Sequence, residues 1–253
     1  MAVIGIDLGT TNSLAGVWQD GKVVLIPNAF GEYLTPSVVG IGKNQEVFVG
    51  SVAKEMLATQ PYDTFREFKR NMGTNFLYGN GRKKYRAEEL SAFVLRRLKE
   101  DAEKFLGEEV TEAVISVPAY FDDNKRNATK NAGRLAGLKV ERLINEPSAV
   151  ALKHHTAEKG AESFIVFDFG GGTLDVSLVE AFDNVVEIQA VAGDNYLGGK
   201  DFNEIIAQDF YEQNQISEAY LTKNEQENVL KEAEAVKKEL TDKNEAERQV
   251  YIK

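Results

Sequence analysis

A chain of 253 residues, 43% hydrophobic and 28% charged, exceeds the ~100 to 150 residues of a usual single domain and has apolar material for two cores or one core in two lobes. Its formal charge of −10 argues against a nucleic-acid surface, which needs clustered Lys and Arg, and the absence of cysteine excludes disulfides, thiolate zinc sites and a cysteine nucleophile. No apolar run reaches the roughly 18 to 20 residues that span a bilayer, and the chain opens on Ala2-Val3-Ile4-Gly5-Ile6-Asp7 rather than on a basic leader, so a cytoplasmic protein with no nucleic-acid or membrane partner is expected.

In chain order, Ile6-Asp7-Leu8-Gly9, Thr10-Thr11-Asn12 and the apolar stretch to Trp18 read as a strand ending in Asp, a Gly/Thr turn and a second strand. Asp20-Gly21 then supplies a hairpin turn into a third. Strands around Ser37 to Ile41 and Glu46 to Val49 follow, with a short helix from Val52 to Thr59 that must stop before Pro61. Asn80-Gly81 marks another turn.

From Ala87 to Leu106, Leu90, Val94, Leu98, Ala102 and Phe105 recur at spacings of four and three, one face of a long helix that Gly107 ends. Strand Ala113 to Val117, a helix from about Asp123 to Ala136 closed by Gly137, strand Val140 to Ile144 and a helix after Pro147 give the β-α-β-α alternation of an α/β sheet. The adjacent His154 and His155 point about 100° apart on a helix, poorly placed to chelate together, and are expected to face solvent.

Phe167-Asp168-Phe169-Gly170, Gly171-Gly172-Thr173 and a stretch to Val179 then repeat the opening pattern 161 residues on, with Asp183-Asn184 in the place of Asp20-Gly21. That offset is too long for a solenoid and predicts two related lobes, each starting with an antiparallel meander. Helices are expected near Gly199 to Gln213 and Lys223 to Leu240, and Glu247 to Ile252 reads as a strand just starting, so the chain is expected to be cut short inside an element.

Two Gly/Thr turns, each headed by an aspartate, can hold a triphosphate and its metal. Backbone N–H groups and the hydroxyls of Thr10, Thr11 and Thr173 point donors at phosphate, while Asp7 and Asp168 orient a hydrated Mg²⁺. A Walker loop is absent: from Gly193 to Lys200 the lysine comes one place late, and Asp201 stands where Ser or Thr is required. Glu234, Lys237, Lys238 and Thr241 lie three, four and seven apart and share a helix face, either an ion-paired solvated stripe or a ligand surface.

The segments IGIDLGTTNS (Ile4 to Ser13), FKR (Phe68 to Arg70), VPAYF (Val117 to Phe121), ATKNAGRLAG (Ala128 to Gly137), INEPSAVA (Ile144 to Ala151), FDFGGGTLD (Phe167 to Asp175) and LGGKDF (Leu197 to Phe202) occur in the order and rough spacing of one family. The chain resembles the nucleotide-binding domain of DnaK-type heat-shock chaperones, the seventy-kilodalton family, along essentially its whole length. The resemblance implies an α/β actin-like ATPase fold (a duplicated ribonuclease H-like fold), two lobes around a nucleotide cleft with the second incomplete. Lobe I would be 1–163, with a core subdomain at 1–36 and 86–163 and a peripheral one at 37–85. Lobe II would be 164–253, with its core at 164–203 and the start of a peripheral subdomain at 204–253.

The resemblance further implies ATP and ADP as ligands, Mg²⁺ with K⁺ as an optional further ion, and hydrolysis coupled to peptide binding by a C-terminal domain outside this sequence. Lys69 matches the catalytic lysine and Glu146 the carboxylate near metal and water; locally, Asn145-Glu146-Pro147 is also a helix start with Pro favoured at its first position. Asp7, Asp168 and Thr173 complete the catalytic set, with Asp7, Asp168 and Glu146 holding the metal through water. Nucleotide contacts fall to Gly9, Thr10, Thr11, Asn12, Gly170, Gly171, Gly172, Thr173, Asp175, Gly198, Gly199, Glu234, Lys237, Lys238 and Thr241, although part of the nucleoside pocket would lie beyond Lys253.

Pro118 and Arg126 match a relay of nucleotide state, Arg142 and Asn145 positions that meet J-domain co-chaperones, and nucleotide-exchange factors and unfolded peptides are implied as further partners. Phe169 stands where leucine is usual and is expected in the core. Gly73 to Glu88 is shorter than in common members, which predicts a compact one. Two other functions remain open on the same scaffold: a sugar or acetate kinase, and an actin-like filament protein.

Overall fold

A computed structural model describes residues 2–79, 83–154, 160–183 and 185–252. Strands β1 (Ala2–Leu8), β2 (Asn12–Gln19) and β3 (Lys22–Ile26) form the first meander. Asp20 and Gly21 both have positive φ, 52° and 76°, the hairpin geometry whose twist matches the flanking strands. In β1 the side chains alternate: Ile4, Ile6 and Leu8 are buried, whereas Val3, Gly5 and Asp7 lie on the opposite face. That alternation sends Asp7 away from the core. Trp18, on β2, is 70% exposed.

After the two-residue β4 (Thr35–Pro36), β5 (Val38–Ile41), β6 (Val47–Val49) and β7 (Thr64–Arg66) make a small sheet in the order β6-β5-β7, covered by α1 (Ser51–Thr59). A single 3-10 turn, Phe68–Asn71, follows β7. Asn80-Gly81 lies outside the described residues, but Tyr78 and Tyr85 on either side exchange backbone hydrogen bonds of 2.8 and 2.9 Å.

Helix α2 (Ala87–Leu106) begins with the Arg86 N–H donating to Glu89 Oε2 at 2.8 Å and ends at Gly107, φ 70°. Leu90, Val94, Leu98 and Ala102 are buried as their spacing predicts. Phe105 is not: it is 44% exposed, and Leu106, four residues after Ala102, packs on the core in its place.

Strand β8 (Val110–Val117) pairs parallel with β1, and β9 (Lys139–Asn145) parallel with β8, giving the order β3-β2-β1-β8-β9. Between them α3 (Asp123–Leu135) is capped by Asp122, which accepts from the Lys125 N–H at 2.9 Å. Gly133 lets α3 lie against β9, because a Cβ there would come 2.3 Å from a methyl of Val140. Helix α4 (Glu146–His154) starts where β9 ends, and His154 in its last turn is exposed; His155 lies outside the described residues.

The second meander is β10 (Glu162–Phe169), β11 (Leu174–Phe182) and β12 (Val185–Asp194). Asp183 has φ 49°, like Asp20 in the first, while Asn184 lies outside the described residues. Helices α5 (Gly199–Gln213) and α6 (Lys223–Glu239) pack on each other through Ala207, Tyr211, Val229 and Ala233. Residues 247–252 form no strand, contrary to the reading of their sequence: they pair with no described strand, and Val250 and Ile252 instead pack against this helix pair. Phe169 is likewise not a core residue. It is 44% exposed, its ring against Phe167 and Phe202 at centroid distances of 6.4 and 6.1 Å. Among the described residues, no helix is long and apolar enough to cross a membrane.

Candidate functional site

The two Asp-headed turns meet. Gly9 closes the first, and a Cβ on it would sit 2.0 Å from the Asn12 carbonyl oxygen, a space only glycine leaves. In the second, the Gly170 N–H donates to the Thr173 carbonyl at 2.9 Å. Gly171 rests directly on Thr11, since a Cβ there would come 2.0 Å from the threonine hydroxyl. A cleft of about 910 Å³ runs past both turns, lined by Asp7, Gly9, Thr10, Thr11 and Asn12 from one side and Asp168, Gly170, Gly171 and Thr173 from the other.

Each carboxylate has a distinct setting. The parallel register of β1 and β8 puts Ser116 beside Asp7, and its hydroxyl donates to Asp7 Oδ1 at 2.9 Å. Burial, then the charge of Asp7, raises the pKa of Asp168. Asp175 is pushed up to about 6 by burial, then by Glu146 and Asp168. It lines a small cavity behind the cleft with Asp168, Glu146 and Ser177.

Lys69 is buried in the cleft wall, 8% exposed, with Nζ donating to Glu146 Oε1 at 2.9 Å and lying 5.8 Å from the centre of the Phe121 ring. Glu146 is the first residue of α4 and Pro147 behind it is buried. Burial raises the Glu146 pKa, and the facing Asp7 and Asp168 add to that rise. Lys69 opposes it without cancelling it. Three carboxylates, Asp7, Glu146 and Asp168, thus share one cleft with the cations Lys69, Arg70 and Lys125, and Lys69 is paired directly with Glu146.

Gly172 of the second turn and Gly198, which packs directly against it, are both buried. A Cβ on Gly198 would lie 2.3 Å from the Gly172 nitrogen. The Gly199 and Lys200 N–H groups donate to the carbonyls of Gly170 and Gly171 at 3.0 and 2.8 Å. Arg70, on the same 3-10 turn as Lys69, donates to the Gly172 carbonyl and stacks over Tyr196 at 5.7 Å. The start of α5 and the Lys69 turn therefore hold the Gly170–Thr173 turn from two sides.

On α6, Lys237 donates to the Gly199 carbonyl, and burial lowers its pKa. Burial alone would raise Glu234, but hydrogen bonds from Lys238 and Lys54 outweigh it and hold the carboxyl at about 2. Glu234 and Lys237 line a second, smaller cavity with Thr11 and Gly199. Lys238 faces an outer groove instead, and Thr241, past the end of α6, is exposed and lines neither cavity. Across the rim, Lys54 meets Glu234 at 2.8 Å, Arg66 meets Glu227 at 2.9 Å, Lys231 meets Glu55 at 2.6 Å, and Asn224 donates to the Ala58 carbonyl at 2.9 Å. Sequence reasoning named neither these bridges nor Ser116, Lys54 and Glu67. Only tertiary pairing brings them to the site.

A family model described as Hsp70 protein matches residues 3–80 and 77–253. The chain belongs to the Hsp70 protein family. Hsp70 proteins are nucleotide-binding chaperones and generally ATPases that use Mg²⁺, and the α/β architecture described above fits their actin-like ATPase fold. Among the described residues of this Hsp70 protein, no group of three or more acidic or histidine side chains could hold a metal ion.

The remaining expected residues lie just after β8, on α3 and on β9. Pro118 is buried at the end of β8, and the Arg126 guanidinium donates to the carbonyls of Phe121 and Ala119 at 2.8 and 3.3 Å and to Asn145 Oδ1 at 2.7 Å. Arg126 is thus no free surface cation but a strut between the loop after β8 and the residue before Glu146. Arg142 is exposed on β9.

Proposed function

We propose that this Hsp70 protein binds ATP between its two Asp-headed turns and hydrolyses it. The observation that carries the reading is the buried Lys69–Glu146 pair, set in the wall of the cleft onto which Asp7, Asp168 and both glycine turns open. Backbone N–H groups of the glycine turns and the hydroxyls of Thr10, Thr11 and Thr173 donate to phosphate oxygens. Lys69 leaves Glu146 for the terminal phosphate and stabilises charge that grows in the transition state. Glu146 and Asp175, with raised pKa values, accept hydrogen bonds from the attacking water and orient it.

The three carboxylates on the cleft wall, which form no direct metal-binding group, fit a hydrated Mg²⁺, a hard cation that takes oxygen ligands and keeps several waters. Asp7, Asp168 and Glu146 would hold it through those waters, and K⁺ is a candidate second ion. Bound there, the metal supplies neutralisation of phosphate charge. Glu234, Lys237, Lys238 and Thr241 are proposed for the nucleoside side, with Glu234 and Lys237 better placed than the other two.

In the same reading, nucleotide state is passed through Pro118 and Arg126 to a peptide-binding domain C-terminal to this sequence, with a J-domain co-chaperone meeting Arg142 and Asn145 and an exchange factor resetting the cycle. Lobe I is assigned to 1–163 and lobe II to 164–253, and the setting to the cytoplasm. The test is release of ADP from ATP with and without candidate sugars. Hydrolysis independent of sugar supports the reading, whereas sugar-dependent release would make the protein a kinase on the same scaffold.

A further inference from the structure

Two residues on the lining of the second, smaller cavity break local rules, and they break them together. Glu67 has a left-handed backbone, φ 57° and ψ 19°, a region unfavourable for a residue with a Cβ, immediately before the turn that carries Lys69. Lys200 is the second residue of α5, where a cation opposes the positive end of the helix dipole. Lys200 Nζ lies 2.9 Å from Glu67 Oε2, and Arg70 Nη1 lies 3.1 Å from that same oxygen. The Glu67, Arg70 and Lys200 side chains are only 25%, 16% and 27% exposed.

One carboxylate therefore joins the Lys69 turn to the start of α5, on the lining of the second, smaller cavity. On its near side the Arg70 N–H closes the turn on the Glu67 carbonyl at 3.1 Å, a turn that encloses Phe68 and Lys69. On its far side the backbone N–H of Lys200 holds the Gly171 carbonyl at 2.8 Å, and Arg70 reaches the Gly172 carbonyl. Without the carboxylate, Arg70 and Lys200 would face each other as like charges, and the turn would keep the Arg70 contact to the Gly172 carbonyl but lose its ion pair to the start of α5. A strained backbone conformation held by partners from two lobes marks a functional constraint rather than a packing accident.

We propose that Glu67 is a positioning residue: through Arg70 and Lys200 it locks the Lys69 turn of one lobe to the Gly170–Thr173 turn of the other, so that the ammonium and the phosphate cradle keep a fixed separation. The proposal rests on Lys69 acting on a phosphate bound at that cradle, as set out above. It predicts a loss of rate without loss of binding, because the donors of the cradle are left intact.

Glu67→Gln keeps the size of the side chain and removes its charge, and Lys200→Gln removes the other end of the bridge. Each is expected to slow single-turnover hydrolysis of bound ATP by about 10- to 100-fold, the scale of a misplaced catalytic group, while nucleotide affinity shifts less than about threefold. The double variant should be no slower than the slower single one, as for two residues acting through one contact. Glu67→Asp, which keeps the charge on a residue that tolerates the left-handed region, should recover most of the rate. A wild-type rate in Glu67→Gln, or a double variant slowed by the product of the singles, overturns the proposal.

A second arm does not depend on turnover. The chain has no cysteine, so spin labels can be placed on cysteines introduced at the exposed Lys43 and Gln208, one in each lobe. Glu67→Gln should broaden the distance between them, and an unchanged distribution sinks the bridge. Broadening together with a wild-type rate in Lys69→Ala would keep the bridge and discard the role of Lys69 instead.

Discussion

The two meanders have the same strand order and bury opposite faces. In β1, Ile4, Ile6 and Leu8 are 0%, 3% and 2% exposed; their counterparts in β10, Ile165, Phe167 and Phe169, are 67%, 65% and 44% exposed. Val166, the counterpart of Gly5, is instead the buried residue of β10, packed with Ala151 of α4 and Val179 of β11. The first sheet is covered by α2 on the face that the second leaves open, and α4 covers the second on the face where the first presents Asp7. An alternating sequence thus specifies a strand with two faces, and which face becomes core depends on where the next helix lands.

The sharpest way to break this contrast is Ile4→Ala, which should cost about 2 to 5 kcal/mol as a fully buried truncation, read as a fall in the urea midpoint at unchanged slope. Lys69→Ala probes whether both meanders serve one cleft. Hydrolysis should drop by a factor on the order of 10² or more with nucleotide binding nearly intact, and equal loss of both would separate Lys69 from the chemistry.

Glu234→Gln sharpens the comparison at the rim. The depressed carboxyl contributes stability that is fully present above its unfolded value of 4.5 and lost as the pH falls towards about 2. The substitution should therefore cost on the order of 1 kcal/mol near neutral pH, after discounting for solvent screening, and nothing in strong acid. A deficit that persists at the lowest pH would remove the ion pairs to Lys54 and Lys238 as its cause. The smallest effect is expected from Ile165→Ala, within about 0.5 kcal/mol as for an exposed substitution. A cost matching that of Ile4→Ala would mean that the second meander is covered in solution.

Most of the fold was legible because its signals are local. The turn at Asp20-Gly21, the helix stop at Gly107 and the start of α4 at Glu146-Pro147 are set by backbone preferences that neighbouring residues announce. Phe105 and Phe169 misled because apolar character says nothing about whether a partner exists. Residues 247–252 misled for the same reason, a strand being defined by the edge it pairs with. The Asp7, Thr11, Asp168 and Gly171 cluster could be foreseen from the repeat, whereas the Ser116 bond to Asp7 and the Glu67 bridge depend on register and on contacts across 109 and 133 residues of sequence.

Trp18 turns the open side of the first sheet into an optical probe. It is the only tryptophan in the chain and sits on the surface, so intrinsic emission from the native protein should already be red-shifted and should change little on unfolding in urea. A blue shift would instead report that something apolar had settled onto that side of β2, and titration of candidate binding proteins could be followed by fluorescence without any label.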